Sequence, residues 1–229
     1  MLIKKNNFGD TSNFNYSIAI GNFDGIHKGH RYLLNELKSC KKTRLDKTAV
    51  LSFFPHPVKV IASINWKNNL IKFRTKYNLL DTFGIDALFL IGFNKKFSLI
   101  SAEEFVEDYL INRIKAKNIV VGKDFKFGRD RKGDIKLLKK YQKKNFFNLI
   151  CLEKKGSSKE VYSSSLVRNL IENGHLPQAN NILGYKWEVC GKVIKGETRG
   201  RLLGFPTANL KYLYQISPSK GIYACWIKI

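Results

Sequence analysis

The chain has 229 residues, enough for one large domain or for one full domain with a smaller unit attached. With 44% hydrophobic and 26% charged residues it can bury a sizeable core, which excludes wholesale disorder. The net charge of +23 raises the question of a nucleic-acid partner. Lysine, asparagine and isoleucine are all abundant, as AT-rich codons favour, and a summed charge locates no basic face. We therefore expect no specific nucleic-acid partner.

The cysteine pattern and the apolar runs indicate the compartment. Cys40, Cys151, Cys190 and Cys225 form no CxxC pair and have no metal-ligand spacing, which is typical of reduced, mostly buried thiols. The first residues, MLIKKNNFGD, lack the apolar stretch of a signal peptide. No apolar run approaches the ~20 residues that a membrane helix needs. These features predict a soluble cytoplasmic protein without a membrane partner.

Short apolar runs alternate with amphipathic stretches along the first three quarters of the chain. We predict strands at 16–20, 48–54, 87–92, 118–122 and 147–152. Helices are predicted at 30–42, 72–83, 101–113 (opened by a capping box at Ser101) and 133–143. Strands separated by helices indicate βαβ units and a mostly parallel sheet, hence an α/β fold.

The pattern of apolar and glycine residues changes near residue 184. Residues 187–194 alternate, a glycine-rich stretch follows (GETRGRLLGFPTAN), and residues 221–229 again resemble a strand. We therefore predict a first domain at 1–184 and a small β-rich unit at 185–229, at the margin of what folds alone.

Residues 21–30, GNFDGIHKGH, lie directly between the first predicted strand and the first predicted helix. In an open α/β sheet, ligands bind beyond the carboxyl ends of the strands, where helix N-termini present free N–H groups. Glycines in this turn allow a close approach of the backbone to a ligand. His27 and His30 are three residues apart and lie on the same side of the helix. This arrangement favours a phosphate site over two unrelated surface or core histidines.

The HxGH motif after the first strand resembles the HxGH nucleotidyltransferases, whose Rossmann-like domain is related to that of class I aminoacyl-tRNA synthetases. The longer string IGNFDGIHKGH resembles bacterial FAD synthetases, the family of bifunctional riboflavin kinase/FMN adenylyltransferases. Further motifs follow in the family's order: FFPHP at 53–57, SAEEFVEDYL at 101–110, VVGKDFKFGRDRKGD at 120–134, SSSLVR at 163–168, GRLLGFPTANL at 200–210 and SPSKGIYA at 217–224. The resemblance implies a Rossmann-like adenylyltransferase domain followed by an incomplete riboflavin kinase β-barrel.

The resemblance implies that the chain transfers AMP from ATP to FMN, giving FAD and pyrophosphate. Such a transfer needs positioning and stabilisation of developing charge. The implied catalytic residues are His27, His30 and Arg168, with Arg168 on a helix opened by serines. The implied ATP-binding residues are Gly21, Asn22, Phe23, Asp24, Gly29, Ser163, Ser164 and Ser165. Two roles stay open for Asp24, which fixes the turn or orients an imidazole. Ser165 stands where the family usually has threonine.

The loop after the fourth predicted strand matches the family's flavin-side loop at Asp124, Phe125 and Phe127. An aromatic ring here stacks on the isoalloxazine or fills the core, and Asp124 is suited to accept a ring N–H. The nearby basic side chains 129, 131 and 132 contact the FMN phosphate or form a solvated loop. For His56, between two prolines, turn geometry is the simpler account.

In the second unit, the resemblance assigns Gly200, Gly204, Thr207 and Asn209 to Mg²⁺-ATP binding. Thr207 and Asn209 would provide hard oxygen ligands for Mg²⁺. The family's catalytic glutamate and barrel-closing strands lie beyond Ile229. We therefore interpret the chain as C-terminally truncated and expect riboflavin kinase activity to be lost or impaired. The implied small molecules are ATP, Mg²⁺, FMN and riboflavin, with FAD as product.

Two alternatives compete with this interpretation. A different HxGH nucleotidyltransferase would share the histidines but not the PTAN segment. A catalytically inactive, basic nucleic-acid-binding remnant would show strongly salt-dependent RNA or DNA binding and no FMN-dependent pyrophosphate release.

Overall fold

The computed structural model describes residues 1–6, 8, 14–62, 68–156, 161–196, 200, 204–205 and 207–228. Within them, six parallel strands form one sheet and two antiparallel strands form a second. The six are β1 (Leu2–Lys5), β2 (Asn15–Ile20), β3 (Asp46–Phe54), β4 (Ala87–Gly92), β5 (Asn118–Gly122) and β6 (Asn148–Leu152). The short pair is β7 (Lys192–Ile194) and β8 (Asn209–Lys211).

Eight α-helices, a π-helix and a 3-10 turn accompany the strands in the described residues. They are α1 (Lys28–Ser39), α2 (Pro57–Ile61), α3 (Phe73–Thr82), α4 (Lys95–Ser98), α5 (Ala102–Glu104), the π-helix (Phe105–Arg113), the 3-10 turn (Arg129–Arg131), α6 (Ile135–Lys143), α7 (Ser164–Glu172) and α8 (Leu176–Leu183). The π-helix continues α5 directly, and Ser101 caps α5 by accepting the Glu104 N–H at 2.9 Å. The capping box thus opens a helix as predicted, although most of that helix has π geometry.

Each face of the large sheet carries its own apolar core. Ile18 and Ile20 of β2 contribute to the cluster covered by the π-helix and α6. Ala19 contributes to the cluster covered by α1, α3, α7 and α8. Because side chains alternate along a strand, helices on both faces bury most residues of the central strands. The predicted α/β fold with a mostly parallel sheet is confirmed.

The strand order places a ligand crevice beside β2. The order is β1-β4-β3-β2-β5-β6, so the chain builds outward from β2 to β3 and β4 and then crosses to β5 on the other side. In open α/β sheets, ligands bind at such a switch point, beyond the carboxyl ends of the strands. The turn after β2 and the loop after β5 therefore face one crevice.

The five predicted strands are all present, with ends displaced by at most two residues. The first predicted helix starts earlier than expected, at Lys28, because His27 acts as its N-cap. Six short elements were not predicted: β1, α2, α4, the 3-10 turn, α8 and β8. Each is too short or too lysine-rich to show a clear hydrophobic period.

The second unit has less regular structure than predicted. Within residues 187–194 only Lys192–Ile194 forms a strand. The strand predicted at 221–229 is wrong for residues 221–228, and residue 229 lies outside the described residues. No strand pairs with this segment in the described part of the chain, and Ile222, Trp226 and Ile227 are exposed there. Much of the glycine-rich stretch, at 197–199, 201–203 and 206, also lies outside the described residues.

Two further sequence predictions concern the cysteines and membrane helices. All four cysteines are free; Cys40, Cys151 and Cys190 are partly buried, whereas Cys225 is exposed and so departs from the expectation of burial. In the described ranges, the helices are all too short or too polar to cross a bilayer.

Candidate active site

The turn between β2 and α1 has an unusual backbone. Phe23 and Ile26 adopt positive φ values of 48° and 38°, and Gly25 between them has φ 89°. Positive φ costs a non-glycine residue of order 1–3 kcal/mol, and such residues cluster at functional sites. Both side chains are fully buried, which holds them in this conformation. The turn is therefore fixed by packing before any ligand arrives.

His27 and His30 form a stacked pair at the start of α1. Their ring centroids lie 3.8 Å apart at 21°, and His27 Nδ1 accepts the His30 N–H at 3.3 Å. Burial lowers the pKa of His27 to about 4. Burial, with the charges of His27 and Lys76, also holds the pKa of His30 well below its usual value. Both imidazoles are thus neutral at pH 7, which permits the stack.

Two buried polar atoms at this turn are left without a partner among the described residues. They are Nδ1 of His30 and Oδ1 of Asn22. Buried polar atoms are almost always hydrogen-bonded, and each exception calls for a physical reason. Both residues line the cleft described below. A bound polar ligand would provide the missing hydrogen bonds.

Hydrogen bonds from distant elements brace the carbonyl groups of the turn. The Asn22 carbonyl accepts Lys76 Nζ at 2.6 Å and Ser52 Oγ at 3.3 Å. The Asp24 carbonyl accepts Ser164 Oγ at 2.7 Å. The Gly25 carbonyl accepts the Tyr185 hydroxyl at 2.6 Å.

Asp24 fixes the turn through its carboxylate. Its oxygens accept the N–H groups of Leu70, at 3.0 and 3.1 Å, and of Ile71, at 3.4 Å. Arg168 Nη2 pairs with Asp24 at 2.9 Å, and Nη1 donates to the Asn68 carbonyl. Burial raises the pKa of Asp24, opposed by Lys76, the Leu70 N–H and Arg168. Of the two roles left open for Asp24, these contacts favour fixing the turn.

The start of α7 lies beside the start of α1. Ser163 caps α7 by accepting the Leu166 N–H at 3.2 Å, and Ser164 bonds to the turn as described. A Cβ on Gly29 would lie 3.3 Å from the Tyr162 carbonyl and 3.1 Å from the His27 ring, so glycine allows the two segments to meet. Two helix N-termini therefore converge near the histidine pair, where an anion is stabilised.

These segments open on a cleft of about 820 Å³. Its polar end contains the serine, histidine and asparagine side chains of the β2–α1 turn and the α7 start. Its other end carries aromatic rings in mutual contact. The lining residues named in the sequence predictions are Gly21, Asn22, Phe23, His27, Gly29, His30, Asp124, Phe125, Phe127, Arg129, Arg131, Ser163 and Ser164.

Three residues that were predicted to contact ATP do not line the cleft. Arg168 and Asp24 lie behind the turn, joined to each other, and are not among the described residues that line the cleft. Ser165 is exposed on α7 and is also absent from that lining. The direct ATP contacts expected of these three stay predictions.

The loop after β5 supplies the aromatic end. Phe125 and Phe127 stack with centroids 5.3 Å apart at 20°, and Phe127 packs on Phe105 in the core. Phe127 is only 7% exposed, so it mainly fills the core, whereas Phe125 is partly open to the cleft. Asp124 is exposed and pairs with Lys154 at 2.9 Å. Phe53, Phe93 and Phe97 extend the same aromatic group.

The second unit's predicted residues lie outside this cleft lining. Thr207, Asn209 and Gly204 are exposed, and Gly200 is partly buried.

His56, between the two prolines, caps α2 by accepting the Val58 N–H at 3.3 Å, and burial lowers its pKa to about 4. No group of three His, Cys, Asp or Glu side chains in the described ranges is suited to hold a metal ion.

Several site residues were missed by sequence reasoning. Lys76 is one of many lysines, and nothing in its local sequence reveals that it reaches the turn. The hydrogen bonds by which the second unit supports the turn come from residues about 160 to 190 positions after the turn in the chain. The missed residues are Lys76, Leu70, Tyr185, Trp187 and Gln215, with Phe93 and Phe97 at the aromatic end.

Comparison with known proteins places this site in a family. A family model described as FAD synthetase matches residues 10–166, well over half of the chain and the whole of the histidine turn. The chain belongs to this FAD synthetase family. A second model, described as riboflavin kinase, matches residues 183–229. The predicted boundary between residues 184 and 185 stays a prediction.

Curated relatives of this FAD synthetase family member carry both names. The bifunctional riboflavin kinase/FMN adenylyltransferase of Escherichia coli (strain K12) is 34% identical over 207 residues, which are 90% of this chain and 66% of that protein. The protein of the same name from Buchnera aphidicola subsp. Acyrthosiphon pisum is 34% identical over 216 residues, 94% of this chain and 69% of that protein. The chain thus spans about two thirds of the length of these relatives.

A solved structure also shares this fold. The crystal structure described as a macrolide-efflux protein from Streptococcus pneumoniae matches with a TM-score of 0.83 at 29% identity. The match covers 96% of this chain and 73% of that chain. The predicted family and the α/β fold are therefore confirmed.

Proposed function

We propose that this chain is an FMN adenylyltransferase, which transfers AMP from ATP to FMN and releases pyrophosphate. The observation that carries the proposal is the stacked, neutral pair of buried His27 and partly buried His30 at the start of α1, opening on a cleft whose other end is aromatic. The family membership and the names of the relatives support the same reaction.

The polar end of the cleft fits the phosphates of ATP. A phosphate oxygen of FMN attacks the α-phosphorus, and the bond to the β-phosphate oxygen breaks, so that pyrophosphate leaves. Negative charge moves onto the bridging oxygen as that bond breaks. The N–H groups at the starts of α1 and α7 stabilise this charge, and the imidazole of His30 donates a hydrogen bond to it. The fixed turn supplies positioning without reorganisation.

The aromatic end fits the isoalloxazine ring of FMN. Phe125, partly open to the cleft, provides a ring face for stacking. The basic side chains of Lys126, Arg129 and Arg131 line the same part of the cleft and are suited to the FMN phosphate. Asp124 is suited to accept an N–H of the flavin ring.

Mg²⁺ enters this proposal with ATP. In such sites the ion is commonly held by substrate phosphates, with one or two protein oxygens and water completing its shell. The absence of an acidic or histidine metal cluster in the described residues fits an ion that arrives on the nucleotide. When bound, the ion would neutralise phosphate charge, and the residues named above position the substrates.

The experiment replaces His30 with alanine. FAD formation from FMN and Mg-ATP is expected to fall at least about 100-fold, because the donor to the leaving group is lost. Leu213→Ala, an exposed residue outside the cleft lining, serves as the folded control. Unchanged turnover in a correctly folded His30→Ala protein would refute the assignment. Salt-dependent nucleic-acid binding without pyrophosphate release would instead favour the basic-remnant alternative.

We further propose that this 229-residue chain does not phosphorylate riboflavin efficiently. Asn209 begins β8 and Thr207 lies two residues before it; both are exposed, so water competes there for any Mg²⁺-ATP. We expect no FMN above background when the chain is incubated with riboflavin and Mg-ATP. Robust FMN formation, measured by chromatography, would overturn this proposal.

A further inference from the structure

The peptide group of Leu70 joins two parts of the molecule that lie far apart in sequence. Its N–H donates to the Asp24 carboxylate, in the turn that precedes the histidine pair. Its carbonyl accepts Trp187 Nε1 at 2.8 Å and Gln215 Nε2 at 3.2 Å. Both donors lie in the region that matches the riboflavin kinase model. The Leu70 peptide therefore connects that region to Asp24 through hydrogen bonds on both of its sides.

Gln215 is the most buried of the second-unit residues that make these hydrogen bonds. It is 2% exposed, and its side chain makes three hydrogen bonds. Nε2 donates to the carbonyls of Leu70 and of Glu188, the latter at 2.5 Å, and Oε1 accepts the Cys190 N–H at 3.2 Å. A buried amide with both ends satisfied has a single orientation, because rotation would leave buried polar groups unpaired.

The backbone around Gln215 also pairs with the loop that contains Leu70. Asn69 and Gln215 form a parallel β-bridge. The Asn69 N–H donates to the Tyr214 carbonyl at 3.2 Å, and the Ile216 N–H donates to the Asn69 carbonyl at 2.9 Å. Residues 214–216 are therefore held against Asn69 by one isolated parallel bridge.

The same loop also contacts the turn through the side chain of Leu70. A Cβ on Gly25 would lie 2.9 Å from Leu70 Cδ1, so the Leu70 side chain packs directly on the turn. The Tyr185 hydroxyl holds the Gly25 carbonyl from the other side. Movement of Leu70 would change both the packing and the hydrogen bonding of the turn.

We propose that Gln215 is a positioning residue of the adenylyl-transfer site, because it holds the Leu70 peptide that fixes Asp24 and the β2–α1 turn. The proposal rests on the proposed function above. Gln215 is not among the described residues that line the cleft, so it acts through Leu70 and Asp24. Loss of its hydrogen bonds leaves the turn less ordered before ATP binds, so ATP affinity falls while the chemical step in the bound state changes little.

The test uses the full chain with Gln215→Met, which keeps the side-chain length and removes the hydrogen bonds. We expect the Leu70 and Ile71 amides to exchange hydrogen about tenfold faster, read by NMR, with the β2 amides unchanged. We expect KM for ATP to rise about tenfold, with kcat and KM for FMN within about twofold of the parent values. Leu213→Ala, exposed on the same segment, is the matched control and leaves all these values unchanged.

Trp187→Phe provides a milder version, because it removes only the Nε1–H donor to Leu70 and keeps an aromatic ring. If Gln215→Met fails to fold or exchanges faster throughout, Trp187→Phe tests the step from the Leu70 carbonyl to Asp24 on which the role of Gln215 depends. Smaller changes in the same direction support the proposal. Unchanged exchange at Leu70 and Ile71, or faster exchange with an unchanged KM for ATP, overturns it. If the parent chain forms no FAD, the proposed function fails, and amide exchange still measures whether Gln215 holds the turn.

Discussion

At the scale of single residues, burial determines how the two histidines behave. His27 and His30 are protected from protonation by their surroundings, so they offer neutral N–H donors rather than fixed positive charges. A neutral pair can stack at 3.8 Å without repulsion. A phosphate that enters beside them would favour their protonated forms, so the pair is suited to respond to charge that develops during a reaction.

The lowered pKa of His27 predicts that acid destabilises the folded chain. Between pH about 6.5 and about 4 the unfolded imidazole binds a proton that the folded one does not, so the free energy of unfolding falls as the pH falls. His27 alone contributes about 2 kcal/mol of this loss between pH 7 and pH 5. His27→Asn keeps an N-cap acceptor and removes the titration. The free energy of unfolding, measured with urea, is therefore expected to change about 2 kcal/mol less between pH 7 and pH 5 than in the parent.

His175→Asn provides the matched control, since His175 is exposed at the start of α8. It is expected to leave the difference between the two pH values as it is in the parent. An unchanged difference in the His27→Asn protein would show that His27 is protonated in the folded state at pH 5.

At the scale of elements, sequence reasoning succeeded where the signal was local. The central strands are continuous apolar runs because helices bury them on both faces, and such runs are visible without a structure. The histidine turn was equally visible, since its glycines, its histidines and the following helix are contiguous. The role of Asp24 could not be settled in this way, because its partners Leu70 and Arg168 lie 46 and 144 positions away.

The wrong or missing predictions concern features that depend on tertiary contacts, which leave no local signal in the sequence. Residues 221–228 alternate like a strand, but a strand needs a partner for its N–H and C=O groups, and none pairs with them in the described part of the chain. The placement of Arg168 behind the turn depends on its pairing with Asp24, which tertiary packing sets. The braces from Lys76 and Gln215 carry no local signature, so only the folded structure reveals them.

At the scale of the whole molecule, two regions with different family matches share one polar network. The region that matches the riboflavin kinase model contributes Tyr185, Trp187 and Gln215 to the support of the histidine turn. It also carries exposed apolar side chains, among them Phe205, Ile222, Trp226 and Ile227. The net charge of +23 has little part in this account, because the histidine pair and the helix N-termini carry the proposed phosphate chemistry.

The most direct test of the central claim is the product formed when the purified chain is incubated with FMN and Mg-ATP. The account predicts FAD and pyrophosphate in equal amounts, identified by chromatography and mass spectrometry, with no FAD when either substrate is omitted. A correctly folded chain that consumes no FMN, or that hydrolyses ATP without forming FAD, would contradict the assignment of this cleft as an adenylyl-transfer site.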